Sequence, residues 1–307
     1  MELRQLRYLD SVARHRSFTQ AARELHIAQS ALSQQVGRLE RELGIELLRR
    51  TTRHVEVTEA GEAVLARARR ALAEVDAVRA DVDAILGLVR GTLRLGGVPP
   101  IGRTHPAALI AEFTRAHPGV AVTVHEGVAF ALLDQLRDSR LDLVFALVDP
   151  DSLDELDGVR LLDEELVLIT ALDHPVARAR HVRIDRLAGQ PLVAYGAGSA
   201  LRDALVALVP DGRIIADAND QVTVRELVAR GLGVSLMPRS VVAAHGDSLA
   251  IRPLSPRHTL PVSLLWRAGE RPTPAAQAFR EHVLSTLATS TRVTGPAGRP
   301  VPAGVHG

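Results

Sequence analysis

The hydrophobic positions of the first sixty residues recur at helical spacing and are separated by short polar segments. The first apolar residues are three apart: Leu3, Leu6, Leu9 and Val12. This spacing predicts a helix over Leu3–His15. Ser17 and Gln20 have the pattern of a capping box, in which both side chains satisfy free backbone N–H groups. We therefore predict a second, short helix over Phe18–Leu25.

A longer helix is predicted from Gln29, after a turn at His26–Ala28. Its apolar face consists of Leu32, Val36, Leu39 and Leu43. The opposite face carries small hydrogen-bonding groups first and arginines later: Ser30, Ser33, Gln34, Gly37, Arg38 and Arg41. Two helices joined in this way predict a helix-turn-helix, and the polar face suits a helix that lies in the major groove of DNA.

A basic hairpin is predicted directly after the second of these helices, which Gly44 ends. The hairpin covers Leu47–Val57, and its turn region contains Arg49, Arg50 and Arg53. These arginines are either solvated loop residues or contacts to phosphates and the minor groove. Because they follow a helix-turn-helix, we favour contact with DNA.

A long amphipathic helix is predicted from Glu59 to about Val89, with Thr58 as its N-cap. Its apolar residues are separated alternately by four and three positions: Val64, Ala68, Ala71, Val75, Val78, Val82, Ile85 and Val89. Such a heptad seam packs either on the C-terminal half of the same chain or on a second copy. We favour a second copy, since one recognition helix reads too few base pairs for useful specificity.

The pattern changes at Arg90–Gly91, after which strands and helices alternate. The first series is a strand with Leu93 and Leu95, a helix over Pro106–His117, a strand with Val120, Val122 and Val124, a helix with Leu132, Leu133 and Leu136, and a strand over Leu141–Ala146. The second has strands at Glu165–Ala171, Pro191–Tyr195, Val234–Met237, Leu249–Leu254 and Val262–Trp266, and helices at Ser199–Leu208, Val222–Arg230 and Thr273–Leu287. This order predicts a mostly parallel sheet covered by helices.

The composition removes several classes of chemistry. The chain of 307 residues has no cysteine, which excludes disulfides, thiolate chemistry and cysteine-ligated zinc. Every basic side chain apart from histidine is arginine, and residues 1–58 carry ten arginines against seven acidic residues. No apolar run reaches the ~18 residues of a membrane span, and the N-terminus lacks the apolar block of a signal peptide. We expect a cytoplasmic soluble protein.

The sequence offers no enzyme signature. Gly196–Ser199 is not a Gly-x-Ser-x-Gly elbow, and Gly231–Gly233 lacks the third glycine and the position of a dinucleotide-binding loop. The twelve histidines include no helical pair at metal-ligand spacing. We expect no catalytic residue, cofactor or metal.

The chain resembles the LysR-type transcriptional regulators over nearly its whole length. The most specific part of the resemblance comprises Phe18–Leu25, Gln29–Val36, Leu39-Glu40, Leu43-Gly44, Leu47-Leu48, Arg50, Arg53 and Thr58–Gly61. Weaker matches follow in the same order: Leu141–Leu143, His174-Pro175, Gly198-Ser199 and Val228–Val234 before Pro238. The sequence departs from the family at Ala28, where Ser or Thr often caps the recognition helix, and at Pro100, where a hydroxyl residue often binds ligand.

The resemblance implies an α/β protein with an N-terminal all-α winged helix-turn-helix and a C-terminal, two-lobed α/β domain like the type 2 periplasmic-binding proteins. The expected parts are a DNA-binding domain over 1–58, a dimerising linker helix over 59–90, an effector-binding domain over 91–290 and a disordered tail over 291–307. Lobe one would comprise 91–162 and 268–290, and lobe two 163–267, with crossings near Leu162–Glu165 and Arg267–Glu270. Family members usually assemble as tetramers built from dimers.

Two sets of site residues are predicted. The DNA-binding set is Ser17, Thr19, Gln29, Ser30, Ser33, Gln34, Arg38, Arg49, Arg50 and Arg53. The effector-binding set is Pro100, Ile101, Arg103, Thr104, Phe145, Val148, Ser199, Arg202 and Asn219. In the effector domain two helix N-termini, after Gly97–Arg103 and after Gly196–Ser199, would face each other and suit an anion such as a carboxylate. Ser199 is either a helix cap alone or a cap that also binds ligand, and Asn219 is either a cleft residue or a turn residue.

These observations predict a sequence-specific, effector-responsive transcription regulator. Its partners would be double-stranded DNA, a small-molecule effector and further copies of the chain, with no membrane. The alternative is a two-lobed solute-binding protein without a DNA role. That alternative would need an export signal and would not explain the first 89 residues.

Overall fold

The computed structural model describes residues 1–50, 55–85, 89–97, 106–243 and 248–293. Its helices are α1 (Leu3–His15), α2 (Phe18–Glu24), α3 (Gln29–Leu43), α4 (Glu59–Ile85), α5 (Pro106–Ala116), α6 (Ala129–Arg137), α7 (Ala200–Leu208), α8 (Gln221–Ala229), α9 (Arg239–Ala243) and α10 (Pro274–Val293). Its strands are β1 (Leu48–Arg50), β2 (Val55–Val57), β3 (Gly91–Gly97), β4 (Val120–Glu126), β5 (Leu143–Ala146), β6 (Leu156–Thr170), β7 (Val182–Arg183), β8 (Pro191–Tyr195), β9 (Arg213–Ala218), β10 (Ser235–Pro238) and β11 (Ala250–Arg267).

The N-terminal head is a three-helix core with a short antiparallel hairpin. Its interior is one cluster of buried apolar side chains, contributed by α1, α2, α3, the hairpin and the first turns of α4. Strands β1 and β2 pair between Leu48 and Val57 and between Arg50 and Val55. The predicted winged helix-turn-helix is therefore confirmed as a folded unit.

The apolar residues of the linker helix α4 do not form one continuous seam for a partner chain, contrary to our prediction. Ala68 is only 3% exposed because it is buried in the core of the head, and Val64 and Ala71 pack against the same core. Val89 lies beyond the end of α4 and packs on the core of lobe one. Val75 is half-buried, whereas Val78 and Val82 are 65% and 54% exposed. The side chain of Ile85 lies outside the described part of the structure.

Lobe one is built on parallel strands covered by helices. Strand β3 pairs in parallel with both β4 and β5, and β5 pairs antiparallel with β11. A core of aromatic and aliphatic side chains from the sheet, α5 and α10 includes Phe113, Phe145 and Phe279. The predicted strand–helix alternation is confirmed in this lobe.

The main sheet continues into lobe two, where β10 pairs antiparallel with β6, and β8 and β9 form a separate parallel pair. The main sheet is therefore mixed and not mostly parallel as predicted, because β6 and β11 run antiparallel to their neighbours β10 and β5 and to each other. A backbone bridge between Leu192 and Val234 joins β8 to the residue just before β10. Strands β7 and β9 were not predicted, since β7 is two residues long and β9, although it follows the turn residues Pro210–Gly212, has only two large apolar side chains, Ile214 and Ile215.

Two long strands run through both lobes and connect them. Strands β6 and β11 pair antiparallel from Ala250 opposite Thr170 to Arg267 opposite Leu156. The two predicted strands at Leu249–Leu254 and Val262–Trp266 are therefore one. Leu264 and Leu265 pack in the cores of lobe one. The return crossing consequently lies before these residues and not at the predicted Arg267–Glu270.

The last helix ends later than expected. We predicted that it stops near Leu287 and that a disordered tail begins at 291, whereas α10 continues to Val293. Residues 294–307 lie outside the described part of the chain.

Candidate DNA-binding head and effector cleft

Local capping fixes the helix-turn-helix. The Ser17 hydroxyl accepts a hydrogen bond from the Gln20 N–H at 3.3 Å, as the capping pattern predicts. Ala28 begins α3 without a side-chain cap, and Gly44 ends α3 in the left-handed region at φ 70°. Ser17 is thus engaged as a cap, which leaves its hydroxyl one lone pair and its proton for any phosphate contact.

The outer face of α3 is polar and accessible. Gln29, Ser30, Gln34 and Arg38 are exposed, and Ser33 is half-buried. Leu32, Val36 and Leu39 on the other face are buried in the head. Leu43 departs from the predicted stripe because it is 41% exposed at the end of the helix. The helix is therefore held by three apolar residues and presents its predicted polar residues to solvent.

The hairpin is tied to the recognition helix by a carboxylate. Oε1 of Glu40 accepts hydrogen bonds from the backbone N–H groups of Leu47 and Leu48 at 2.9 and 3.0 Å. Arg49 is exposed on this hairpin, as Thr19 is on α2. The side chain of Arg50 and the whole of Arg53 lie outside the described residues.

An ion cluster joins the first two helices of the head. Glu24 accepts hydrogen bonds from the Ser11 hydroxyl at 2.6 Å and from Arg14 at 2.9 Å, and lies 3.0 Å from a ring nitrogen of His15. Burial opposes ionisation of Glu24, but the hydrogen bonds from Ser11 and Arg14 outweigh it and lower its pKa to about 2. The negative charge of Glu24 therefore stabilises the packing of α2 on α1 at neutral pH.

The effector domain contains a cavity between its lobes. Lobe one contributes the N-terminus of α6 and the residue that follows β5, and lobe two contributes the ends of β8 and β10 and the N-termini of α7 and α8. The lining residues are Gly127, Val128, Ala129, Leu147, Tyr195, Gly196, Ser199, Ala200, Leu201, Asn219, Gln221, Pro238 and Val241. None of these described residues is charged.

The lobes touch beside this cavity. The Phe130 N–H lies 3.4 Å from the carbonyl oxygen of Gly198, and a Cβ at Gly198 would lie 3.1 Å from Cβ of Phe130. The cavity volume is about 70 Å³, well below the roughly 300–1,000 Å³ of typical small-molecule sites. The structure therefore shows the two lobes close together at this edge.

Two predicted effector residues line the cavity. Ser199 also caps α7, since its hydroxyl accepts a hydrogen bond from the Leu201 N–H at 3.3 Å. The Asn219 side chain approaches Gly196 so closely that a Cβ there would lie 1.9 Å from Oδ1 of Asn219. A glycine at position 196 is thus required for this placement of Asn219.

Three other predicted effector residues do not line the described cavity. Phe145 is 3% exposed and packs edge-on against Phe279 in the core of lobe one. Val148 packs on a second apolar cluster of that lobe. The Arg202 guanidinium is engaged by the carbonyl oxygen of Tyr195 at 3.0 Å and by Asp217 at 3.1 Å. Pro100, Ile101, Arg103 and Thr104 lie outside the described residues.

The sequence did not point to two further hydrogen-bonding groups of the cavity. The N-terminus of α6 has no side-chain cap, because Val128 occupies the N-cap position, and of its first N–H groups that of Phe130 is already directed at the carbonyl oxygen of Gly198. Tyr195, 8% exposed, places a phenol at the cavity, and burial raises its pKa, which keeps the hydroxyl neutral. The sequence contained one signal for the uncapped N-terminus of α6, namely the apolar residue Val128 at the N-cap position. Nothing local distinguishes Tyr195 from a core residue of β8.

In the described ranges of the chain, no three histidine, aspartate or glutamate side chains are grouped so that they could hold a metal ion. No helix in the described ranges is both long and apolar enough to cross a membrane.

The comparison with known proteins covers both parts of the chain. Residues 3–62 match the bacterial regulatory helix-turn-helix proteins of the lysR family, and residues 86–288 match the LysR substrate binding domain. The chain belongs to the LysR family of transcriptional regulators. It is thus a LysR-type DNA-binding transcription regulator with an effector-binding domain. The solute-binding alternative is not favoured, because it leaves the match over residues 3–62 unexplained.

Individual LysR-family proteins are similar to this chain over almost its whole length. The RuBisCO operon transcriptional regulator of Allochromatium vinosum is 34% identical, over 94% of this chain and 97% of its own. The structure of a full-length OxyR variant from Pseudomonas aeruginosa is 27% identical, with a TM-score of 0.73 and 94% of both chains covered. Full-length CbnR in complex with its target DNA is 25% identical, with a TM-score of 0.65, 93% of this chain and 100% of CbnR being covered.

Proposed function

We propose that this LysR-family regulator reads a specific DNA sequence with α3 and that a small molecule bound between its two lobes changes the arrangement of its DNA-binding heads. The observation that carries the DNA part is the exposed polar face of α3, with Gln29, Gln34 and Arg38 on it and three buried leucine or valine residues behind it. Similarity to CbnR, whose structure includes its target DNA, supports DNA as the partner of this chain.

The proposed contacts divide into two kinds. Gln29, Ser33, Gln34 and Arg38 would meet base edges or adjacent phosphates, whereas hydroxyls and arginines around α3 would position the backbone. The second group is Ser17, Thr19, Ser30, Arg49, Arg50 and Arg53. A bidentate glutamine–adenine or arginine–guanine pair contributes about 1–3 kcal/mol of discrimination.

The experiment is selection of bound fragments from a random DNA library, followed by titrations with the Gln34→Ala variant at one fixed salt concentration. We expect the variant to lose about 1–3 kcal/mol on the selected site and little on an unrelated fragment. Arg115→Gln, an exposed change on α5, serves as the control. Equal losses on both fragments would refute a base-reading role for Gln34.

The chemistry of the interlobe cavity suggests the class of effector. Its described lining is uncharged, with hydrogen-bonding groups at Tyr195, Ser199 and the N-terminus of α6, which has no side-chain cap. A small, largely apolar molecule with one carboxylate or carbonyl group fits these features, because a helix N-terminus favours a negative group. Since the chain has no cysteine, a thiol-based response is not available to it.

Effector binding would need the lobes to separate. The small cavity and the contact between Phe130 and Gly198 leave little room for a ligand. Strands β6 and β11 are the two connections between the lobes, so bending of these strands would open the cavity. The spacing of the DNA-binding heads then changes only if the effector binds the closed and the open arrangement of the lobes with unequal affinity.

The test is a thermal-shift series of small aliphatic and aromatic acids, each beside its uncharged amide, followed by operator titrations with any acid that binds. Ser199→Ala should reduce the effector response and leave operator binding intact. Asp220→Ala is the matched control, because Asp220 caps α8, a helix of the same length, and does not line the cavity. Equal effects of the two variants would leave Ser199 as a cap only.

We also propose a homodimer that pairs through the exposed part of α4 and doubles to a tetramer. The exposed Val78 and Val82 support this proposal, because a helix seldom leaves such a stripe to water. A dimer would also present two recognition helices to DNA, and one such helix alone reads too few base pairs for useful specificity.

A further inference from the structure

A second cavity lies where the linker helix α4 meets lobe one, apart from both the DNA-binding face and the interlobe cavity. Its volume is about 390 Å³, within the roughly 300–1,000 Å³ typical of small-molecule sites. Its walls come from the middle of α4, from the first residues of β3, from the turn between α6 and β5, and from the end of β11 through the start of α10. The linker and the effector domain therefore both contribute to it.

The lining of this junction cavity is rich in arginine. Five arginine side chains and four carboxylates face it. Two of the carboxylates have arginine partners: Glu270 pairs with Arg267, and Asp76 pairs at 3.4 Å with Arg7, which is not part of the lining. The balance of charge around the cavity is therefore positive.

Two of these arginines lie on opposite walls with N–H groups to spare. Arg70 is on α4 and donates one hydrogen bond, to the carbonyl oxygen of Arg137 at 3.4 Å. Arg90 is exposed just before β3. A guanidinium has five N–H groups, so both side chains retain donors for a ligand in the cavity.

A buried hydroxyl in the same cavity lacks a partner. Ser139 is 7% exposed and lines the cavity, and its Oγ makes no hydrogen bond within the described structure. Leaving such a group buried and unpaired costs about 1–3 kcal/mol, which an oxygen atom of a ligand within hydrogen-bond distance of Oγ would recover. The neighbouring Asp142 differs, because its carboxylate accepts the Arg94 N–H at 2.7 Å.

We propose that the junction cavity binds a small anion that carries phosphate or carboxylate groups. Ser139 would donate its hydroxyl proton to an anionic oxygen, and Arg70 and Arg90 would supply charge-assisted hydrogen bonds from the two walls. Because one wall belongs to the linker helix and the other to lobe one, an anion here would favour the observed placement of α4 on the effector domain. The site is separate from the interlobe cavity, and the proposal does not depend on it.

The test uses the full chain, with inorganic phosphate and citrate as separate ligands and sodium chloride to hold the ionic strength constant. We expect a saturable rise in melting temperature with at least one of the two, and the comparison of the two distinguishes phosphate from carboxylate recognition. Ser139→Ala should leave the free protein no less stable, since its Oγ makes no described bond, yet raise the half-saturating concentration about tenfold. Arg90→Gln and Arg70→Gln should likewise raise the half-saturating concentration.

Two control variants test where on the protein the anion binds. Arg115→Gln removes an exposed arginine of lobe one outside the cavity and should leave the titration unchanged. Arg38→Gln tests whether the anion binds at the DNA-binding face. The proposal is overturned if neither anion gives a saturable response, if Ser139→Ala and Arg90→Gln both titrate as the unmodified chain does, or if the response disappears with Arg38→Gln instead.

Discussion

Glu40 of the recognition helix accepts the backbone N–H of Leu47 at 2.9 Å, and the same oxygen accepts the N–H of Leu48 at 3.0 Å. This pair of bonds fixes the start of the hairpin relative to α3. The exposed polar residues of α3 and the basic residues of the hairpin are thereby held in one arrangement.

Removal of this carboxylate should loosen the hairpin. We expect Glu40→Ala to lower the free energy of unfolding by about 1–3 kcal/mol, because two partly buried N–H groups lose a charged acceptor. DNA affinity should fall as well, since the arginines of the hairpin are no longer positioned. Chemical denaturation and DNA titration measure the two effects. Glu42→Gln, an exposed change on the same helix, is the control, and an equal loss there would contradict the assignment.

The linker helix passes very close to the hairpin at Gly61. A Cβ at this position would lie 2.1 Å from the carbonyl oxygen of Leu47, which is backbone and cannot move aside cheaply. We expect Gly61→Ala to destabilise the head by about 1–3 kcal/mol.

The comparison for this glycine is Gly37→Ala in α3, where nothing lies within 4 Å of the added Cβ. That substitution should be neutral or stabilising by up to about 1 kcal/mol, because alanine favours the helix. Urea denaturation of both variants tests the contrast. Similar free energies of unfolding for the two variants would contradict this prediction, because they would show that the linker helix can move away from Leu47 at little cost.

Assembly should depend on the exposed middle of α4. Val78→Asp places a charge on the proposed pairing face, where burial of an unpaired carboxylate is costly. We expect dissociation to smaller species in sedimentation velocity at micromolar concentration. Val222→Asp is a closely matched control, since Val222 is also a helical valine with 65% exposure. An unchanged oligomer with Val78→Asp would remove this face from the interface.

The head should lose stability in acid through Glu24. Its pKa is about 2 in the folded protein, below the ordinary value of 4.5, so its contribution is complete above pH 4.5 and is lost as the pH falls through 2. Glu24→Gln should therefore lower stability at pH 7 and flatten the acid limb between pH 4.5 and 2. Denaturation across this range checks the slope, with Glu46→Gln as the control. An acid limb as steep in Glu24→Gln as in the unmodified chain would contradict the role of this carboxylate.

The head was predictable because its signals are local. Apolar residues three apart mark the helix Leu3–His15, Ser17 caps the second helix, and Gly44 ends the third. Each of these signals involves only residues that are close together in the sequence. The structure reproduces all three helices of the head to within one residue. Most elements of the effector domain were predictable for the same reason, whereas β7, β9 and α9 were missed and β11 was predicted as two strands.

What the sequence did not reveal depends on contacts between distant residues. The heptad pattern of α4 is compatible with any apolar surface, and only the fold shows that Ala68 is covered by the head and Val89 by lobe one, while Val78 is left exposed. Similarly, the pairing of β6 with β11 decides that Leu264 belongs to lobe one.

The sequence by itself determined the helix-turn-helix, the linker and the strand–helix order, because helical and strand periodicity and capping are properties of neighbouring residues. The tertiary structure alone decided which side chains meet in the cavities. Phe145 went into a core, Tyr195 to the interlobe cavity and Ser139 to the junction with the linker, because a strand or turn residue acquires its surroundings only when remote elements pack against it.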